Sequence, residues 1–341
     1  MADTLILMYH RVTELAADPW SLAVATDSFA EHVEVIDSLY EVVPLRDALT
    51  RPARSDRARI IFTFDDGYAD NLAAASMLAA RGIAATYFLT AGQLGSTREF
   101  WWDELTRIFL ESATLPERLD LNLGTSRLQL DLSEDEREPE NLDDVTWRAD
   151  QAPRTNRQRA YLRSWSVLSR LDHQQRERTL QALSEWADVS RETRPCMRTL
   201  TPEEVAALSV LNGAEIGAHT MTHTSLTSLS AERQQEEIVD SRLLLEELTH
   251  CPVASLAYPY GSYTAETIAI ARRAGLRQAC GTVGGPVRPG VSEFELPRVM
   301  VKNWDGAELE HRTIEMLGAT PTNAKRGAAA QLRRWYRRST G

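Results

Sequence analysis

The chain has 341 residues, 43% of them hydrophobic, which suits a single α/β barrel with an insertion. Its 49 acidic residues outnumber 38 Lys and Arg, and the net charge of −11 argues against broad nucleic-acid binding. The first residues lack a basic n-region and a long apolar run, and the three cysteines are scattered, so we expect a cytoplasmic protein with reduced thiols.

Short apolar strand patterns alternate with helical patterns along most of the chain. The predicted strands cover residues 4–10, 59–66, 84–92, 214–219, 253–261, 276–283 and 296–301. The predicted helices cover residues 28–40, 70–82, 201–213, 230–248, 265–275 and 305–317. This alternation predicts an α/β fold in which helices cover parallel strands.

Residues 95–199 interrupt the alternation. After an acidic stretch, Leu162, Trp165 and Leu168 recur at helical spacing, which predicts a largely helical insertion in a loop of the barrel. We therefore expect one barrel built from residues 1–94 and 200–320, with an insertion or lid at 95–199. The last residues, 321–341, form a locally basic tail.

Two adjacent carboxylates, Asp65 and Asp66, end the predicted strand at 59–66 and precede Gly67. Acids this close repel each other, and a bound divalent cation would offset the repulsion. One carboxylate could then bind the metal while the other stays free to accept a proton. A turn or a helix cap is the alternative interpretation of the two aspartates.

Two histidines, His219 and His223, follow the predicted strand at 214–219. Their spacing would place both imidazoles on one face of a helical turn, where they could share a metal. Two surface histidines are the alternative. Because the carboxyl ends of parallel barrel strands meet at one face, the histidines and one aspartate could form a metal site with open positions.

A third strand end carries the residues Ala-Tyr-Pro-Tyr-Gly at 257–261. Pro259 fixes the local backbone, and Gly261 permits an unusual turn. The main-chain N–H of Tyr260 could then point into the site as an oxyanion donor. A simple turn with packed tyrosines is the alternative.

Three motifs in this order, TFDDG (63–67), HTMTH (219–223) and YPYG (258–261), resemble the polysaccharide deacetylases, also called the NodB homology or carbohydrate esterase 4 family. The N-terminal strand ending in Tyr-His is similar to one branch of that family. The resemblance covers residues 4–92 and 200–317 and leaves the insertion outside.

The resemblance implies a deformed (β/α)7 TIM-like barrel and a metal-dependent hydrolase that removes N-acetyl groups from amino sugars. It implies Asp66, His219 and His223 as the metal ligands. It also implies Asp65 as the catalytic base and the Tyr260 N–H as an oxyanion donor. We expect one divalent ion, with zinc preferred over cobalt, nickel and iron, which suit the same ligands.

The chain departs from the family pattern at two places. Ala257 stands where classical members have an arginine that contacts the base, and Arg298 in the strand at 296–301 is our candidate replacement. A surface salt bridge is the alternative for Arg298. The family's late Leu-x-His motif matches residues 309–311, but His311 falls inside a predicted helix, so we expect it to be solvated.

His10 is the preferred general acid, because the first predicted strand ends in Tyr9-His10 and should deliver the imidazole to the catalytic face. A packed first-strand histidine is the alternative. We expect His32, His173 and His250 to lie on the surface.

The expected substrate is an N-acetylated sugar of a cell-surface glycan or of its nucleotide-linked or lipid-linked precursor. Trp101 and Trp102 at the start of the insertion, together with Tyr258, are candidate substrate contacts, with core packing as the alternative for both tryptophans. The basic tail could rest on an anionic membrane, at the inner face, although a solvated terminus is the alternative.

Other functions are compatible with parts of this pattern. A deformylase or another amidase could use the same fold, and a non-catalytic glycan-binding relative would retain the fold without the chemistry. The intact Asp65, Asp66, His219 and His223 argue against the latter. A non-haem iron oxygenase would share two histidines and one carboxylate, but it would leave the second aspartate without a use.

Overall fold

The computed structural model describes residues 4–49, 57–123, 127–133 and 142–318. The basic tail at 321–341 and the membrane contact suggested for it lie outside these residues. Among the described residues, no helix combines the length and the apolar character needed to cross a membrane.

Twelve strands lie within the described part of the chain. They are β1 (Thr4–Tyr9), β2 (Arg11–Val12), β3 (Ala23–Val24), β4 (Glu41–Val42), β5 (Arg59–Phe64), β6 (Ala85–Leu89), β7 (Arg118–Asn122), β8 (Arg127–Asp131), β9 (Ala214–Ala218), β10 (Ser255–Ala257), β11 (Gln278–Cys280) and β12 (Val299–Met300).

Ten α-helices accompany these strands in the same ranges. They are α1 (Thr26–Leu39), α2 (Asn71–Ala80), α3 (Trp101–Thr106), α4 (Leu142–Val145), α5 (Asn156–Leu168), α6 (His173–Ala187), α7 (Pro202–Ser209), α8 (Ala231–Thr249), α9 (Ala265–Arg273) and α10 (Gly306–Leu317). A π-helical segment, Arg107–Glu111, directly continues α3.

The main sheet is a curled, parallel sheet in the order β11-β10-β9-β6-β5-β1-β12, and β4 pairs with the start of β5. The segment before β12 joins the two edges of this path. Leu296 exchanges backbone hydrogen bonds with β11, whereas Val299 and Met300 pair with β1. This is the deformed seven-strand barrel architecture that the motifs predict.

Alternate residues of each strand face two different cores. Leu5 and Leu7 of β1 pack with the covering helices, whereas Ile6 packs with Ile61 of β5 and Phe88 of β6 inside the barrel. This period of two follows from strand geometry, and burial on both faces is typical of parallel strands under helices.

The segment between β6 and β9 builds a separate hydrophobic cluster around Phe109, Tyr161 and Leu183. It contains α3 to α6 and also an antiparallel hairpin, β7–β8, which the helical periodicity of this region did not predict. The division of the chain into barrel, insertion and tail at 95, 200 and 321 stays a prediction.

The predicted strand at 253–261 is longer than the observed one. β10 ends at Ala257, because Pro259 opens a 3-10 turn that runs to Gly261. The shorter strand leaves Tyr258 and Tyr260 at the carboxyl end of the barrel, where they can contact a ligand.

Gly217 leaves room for the ring of Phe88 in the barrel interior, close to the end of β9 that precedes His219. A Cβ on Gly217 would overlap the ring of Phe88 and approach Ser255 Oγ to 2.9 Å. We therefore expect Gly217→Ala to lower the free energy of unfolding by about 1–3 kcal/mol, the usual cost of overpacking.

Urea unfolding followed by circular dichroism measures this change. Gly284→Ala is the matched control, because a Cβ on Gly284 meets nothing within 4 Å. Equal stability of the two variants would contradict the packing argument.

Candidate active site

Three of the predicted site residues lie on the interior face of the barrel, at the ends of their strands. Because side chains alternate along a strand, Ile6 in the barrel interior implies that His10 leaves β1 on the same face. In the same way, Ile61 places Asp65 at the interior end of β5. His219 follows Gly217 of β9 by two residues, so it also emerges on the interior face.

The two aspartates are turned apart by a tight bend. Gly67 N donates to Asp65 O at 3.0 Å, and Asp66 between them has φ 74°, a left-handed conformation that non-glycine residues rarely adopt. Gly67 follows with φ 90°, which glycine tolerates. Backbone strain of this kind is concentrated at functional sites, and here it separates the directions of two adjacent carboxylates.

Asp66 faces the two histidines. Its Oδ1 lies 3.6 Å from His219 Nε2 and 3.3 Å from His223 Nε2. One ligand atom from each of the three buried residues lies within 4.8 Å of the others. Two imidazole nitrogens and one carboxylate oxygen in this arrangement suit a divalent transition metal.

The loop that carries the histidines is not a helical turn, so that expectation was wrong. Thr220 and His223 both have positive φ, 65° and 53°. The Glu237 carboxylate accepts hydrogen bonds from the main-chain N–H groups of Met221 and Thr222, each at 2.9 Å. These bonds replace helical ones and fold the loop so that both imidazoles still face Asp66.

Hydrogen bonds to the outer ring nitrogens orient both imidazoles. His219 Nδ1 donates to the Ala257 carbonyl at 2.8 Å, which leaves Nε2 unprotonated and facing inward. His223 Nδ1 lies 3.2 Å from the Tyr260 hydroxyl. Such partners of metal-binding histidines fix ring orientation and tautomer. Burial lowers the pKa of His219 to about 4 and that of His223 to about 3, so both are neutral at physiological pH, as metal ligands must be.

Asp65 is held by a different partner. Arg298 forms a two-pronged ion pair with it, at 2.6 Å to Oδ1 and 2.7 Å to Oδ2, and both residues are buried. Burial alone would raise the pKa of the Asp65 carboxyl, but the charges of Arg298 and His219 hold it at about 2. The structure thus places Arg298 in contact with Asp65, and the pair is buried.

His10 lines the same cavity, and its Nδ1 has no hydrogen-bond partner among the described residues. Its position is set through the backbone, since the buried Asn71 side chain donates to the His10 carbonyl at 2.9 Å. Burial lowers the pKa of His10, while Asp66 and Asp65 act in the opposite direction. Nδ1 itself is buried, and the His10 residue lines the cavity together with Asp65 and Asp66.

A cavity of about 290 Å³ opens over these groups, a size that suits a small ligand. It is lined by the acid and histidine residues and by a largely apolar wall that comprises Met8, Trp20, Leu22, Trp102, Trp165, Tyr258, Tyr260, Thr282 and Met300.

The predicted aromatic contacts divide into two groups. Trp102 and Tyr258 line the cavity, and Trp102 is fixed there by a 2.8 Å hydrogen bond from its Nε1 to Tyr68 Oη. The ring of Tyr260, which was predicted only as a main-chain donor, lines it too. Trp101 does not line it; this residue packs within the core of the segment between β6 and β9.

Sequence reasoning missed several wall residues. Met8 lies two residues before His10 and Met300 two residues after Arg298, so strand alternation could have identified both. Trp20 and Trp165 come from distant parts of the chain and meet with ring centroids 4.7 Å apart and planes tilted by 41°, and no spacing rule could have paired them.

The remaining histidines lie away from the cavity. His311 is exposed on α10, as expected for a solvated helix residue, and His173 and His250 are exposed too. His32 is fully buried, so the surface assignment was wrong. Its Nδ1 lies 3.2 Å from the Tyr9 hydroxyl and its Nε2 2.8 Å from the Trp304 carbonyl, which makes it a packed core residue.

A family model described as Polysaccharide deacetylase matches residues 161–279. The matched segment contains His219, His223 and the turn at Tyr260, but not the acid pair. Among curated proteins, the chain is 30% identical over 102 residues to YxkH of Bacillus subtilis (strain 168), which is named as a polysaccharide deacetylase. That alignment covers 30% of this chain, and the chain spans 36% of the length of YxkH.

Solved structures resemble the fold over nearly the whole chain. The deacetylase PplD of Streptococcus pyogenes, solved in complex with acetate, has a TM-score of 0.55 at 15% identity and covers 92% of this chain and 98% of its own. IcaB from Ammonifex degensii has a TM-score of 0.56 at 16% identity and covers 94% and 98%. At these identities the likeness shows a shared fold.

Loss of the Arg298 charge should destabilise the protein. We expect Arg298→Gln to lower the free energy of unfolding at neutral pH by about 3–5 kcal/mol, because a buried carboxylate loses its partner. A carboxyl with a depressed folded pKa stabilises the fold above its unfolded pKa, and this contribution disappears as the pH falls through about 2. In the variant, burial without a charged partner raises the Asp65 pKa, so the difference in stability from the wild type should shrink as the pH falls and the carboxyl takes up a proton.

Urea unfolding across the acid range measures both effects. Arg233→Gln is the control, since Arg233 forms an exposed pair with Glu236 that should contribute less than about 1 kcal/mol. Equal losses in the two variants would contradict a buried, stabilising pair at Asp65.

Metal binding should depend on His219. We expect the chelator-treated protein to bind one Zn²⁺ in isothermal titration calorimetry, and His219→Ala to weaken that binding strongly. Replacing an outer-sphere partner already costs about 10–100-fold in affinity, and a lost ligand should cost more. His173→Ala, at an exposed histidine on α6, should bind as the wild type does. Unchanged binding by His219→Ala would exclude this site.

Proposed function

The chain belongs to the polysaccharide deacetylase family, and from this premise we propose that it is a metal-dependent hydrolase that removes an N-acetyl group from an amino sugar. The proposal depends on one observation, which is that the two adjacent aspartates have different partners. Asp66 faces His219 and His223, while Asp65 remains beside them on Arg298 with its carboxylate in the cavity.

Asp66, His219 and His223 would hold one divalent ion, zinc in our proposal. When bound, the ion would polarise the acyl oxygen and lower the pKa of a nearby water. The residues around it fit this role, because both histidines are neutral and are oriented through their outer nitrogens.

Asp65 is the proposed general base, which takes a proton as water attacks the acyl carbon. Arg298 keeps this carboxylate ionised and fixes its direction, so Arg298 acts as a positioning residue. The main-chain N–H of Tyr260 is the proposed donor to the oxyanion of the tetrahedral intermediate. The left-handed turn at Tyr260, with φ 59°, supports this role because it bends the chain at the cavity wall.

The C–N bond breaks readily only when the departing amine receives a proton, so an acid is required. We assign this role to His10, which lines the cavity together with Asp65 and Asp66. His311 is on the exposed side of α10 and is not among the residues that line the cavity. Trp102 and Tyr258 are proposed substrate contacts.

The substrate in this proposal is an N-acetylated sugar made inside the cell, either free or linked to a nucleotide or a lipid. A cytoplasmic location is part of the same proposal, since the three cysteines are dispersed singly along the sequence. Cys196, Cys251 and Cys280 are free thiols in the structure.

Release of acetate from N-acetylated sugars tests the proposal. Free, nucleotide-linked and lipid-linked sugars should be incubated with the zinc-loaded protein, with metal content measured in the same samples. We expect acetate from at least one class and loss of release after chelation. Formate release from N-formyl sugars in place of acetate would identify a deformylase, and no release from any sugar would contradict the proposal.

His10→Ala should lower kcat by about 10²–10⁴-fold, the usual contribution of an acid–base group, without loss of metal. Since the protonated imidazole is the active form, kcat of the wild type should fall as the pH rises through the pKa of His10. That fall should be absent in the variant.

The pH profile of kcat for acetate release is the measurement. His311→Ala is the matched control and should retain both the rate and the profile. A wild-type profile in His10→Ala would return the acid role to another group.

A further inference from the structure

A second cavity, of about 310 Å³, lies against the first and shares two of its walls. Trp165 and Tyr260 line both spaces and meet edge to face, with ring centroids 6.3 Å apart. The outer cavity is otherwise lined by Ser169, Arg170, Ser225, Thr227 and Ser228. The two cavities are therefore adjacent.

The outer wall is built by two separate parts of the chain. Ser169 and Arg170 follow α5 in the segment between β6 and β9. Ser225, Thr227 and Ser228 belong to the loop that begins at His223. Trp165 is fixed between them by its 4.7 Å contact with Trp20, so one aromatic face of the wall has a defined position.

The hydroxyl groups of this wall are only partly satisfied by one another. Ser225 Oγ lies 3.2 Å from Thr227 Oγ1, which lies 2.7 Å from Ser262 Oγ. Ser262 lies outside the cavity lining, and Ser228 Oγ donates to the Ser225 carbonyl at 2.7 Å, so the wall offers mainly acceptor oxygens. The unused oxygen lone pairs can accept hydrogen bonds from the hydroxyls of a sugar.

Arg170 gives the wall of the outer cavity a positively charged side chain. Among the described residues that line the outer cavity, it is the only basic or acidic one. Its side chain is exposed, and no described carboxylate lies within 4.0 Å of its guanidinium. A guanidinium offers several N–H donors in a fork that matches phosphate and carboxylate oxygens.

We propose that the outer cavity binds the unit attached to the acylated amino sugar, and that this unit carries an anionic group held by Arg170. This inference rests on the proposed function and specifies its substrate. The anion is either the phosphate of a sugar phosphate or sugar nucleotide, or the carboxylate of a neighbouring uronic acid. The hydroxyl wall binds the rest of that unit, and Trp165 lies between the two units.

Calorimetric titration of the zinc-loaded, full-length Asp65→Asn protein tests binding without turnover. The probes are N-acetylglucosamine, N-acetylglucosamine 1-phosphate and a disaccharide of N-acetylglucosamine with glucuronic acid. At least one anionic probe should bind about tenfold more tightly than the neutral sugar, the effect of one charged hydrogen-bonded contact. The tighter of the two anionic probes identifies the source of the anion.

Arg170→Gln in the same background should remove this preference. Arg163→Gln is the matched control, since Arg163 is exposed on α5 and lines neither cavity. Equal binding of all three probes, or an unchanged preference in Arg170→Gln, overturns the inference. Acetate release from the same probes by the protein with Asp65 intact reports separately on the proposed function.

Discussion

The buried ion pair between Arg298 and Asp65 is the interaction on which the site depends. Two adjacent carboxylates in a buried position would repel each other, and one would take up a proton. Arg298 prevents this by holding Asp65 ionised from the barrel side, which leaves Asp66 free to turn toward His219 and His223. The two neighbouring carboxylates therefore have different surroundings, because Asp65 faces a guanidinium and Asp66 faces two imidazoles.

The barrel makes this division possible. Strand alternation aims His10, Asp65 and His219 into the same interior end, while the left-handed turn at Asp66 sends the next carboxylate in another direction. Arg298 comes from the segment that joins β11 to β1, so the residue that completes the acid pair also lies where the sheet edges meet. The segment around Arg298 therefore both joins the edges of the curled sheet and supplies the partner of Asp65.

The barrel and the candidate metal residues could be predicted from the sequence, because both follow from local patterns. The strand and helix periods predict the parallel sheet, and strand ends mark Asp65, Asp66 and His219. The loop between the histidines was predicted wrongly, since its hydrogen bonds go to Glu237 on a later helix. The burial of His32 and the contact of Trp20 with Trp165 were missed for the same reason, because long-range packing sets them. The β7–β8 hairpin is local, and the alternation of Leu119, Leu121, Leu128 and Leu130 could have predicted it.

Asp65 and Asp66 are assigned different roles in this site. The most direct test is to measure metal content and acetate release in parallel in Asp65→Asn and Asp66→Asn. We predict that Asp65→Asn keeps its metal and loses acetate release, whereas Asp66→Asn loses both. Loss of metal in Asp65→Asn with retention in Asp66→Asn would contradict the assignment of the two carboxylates.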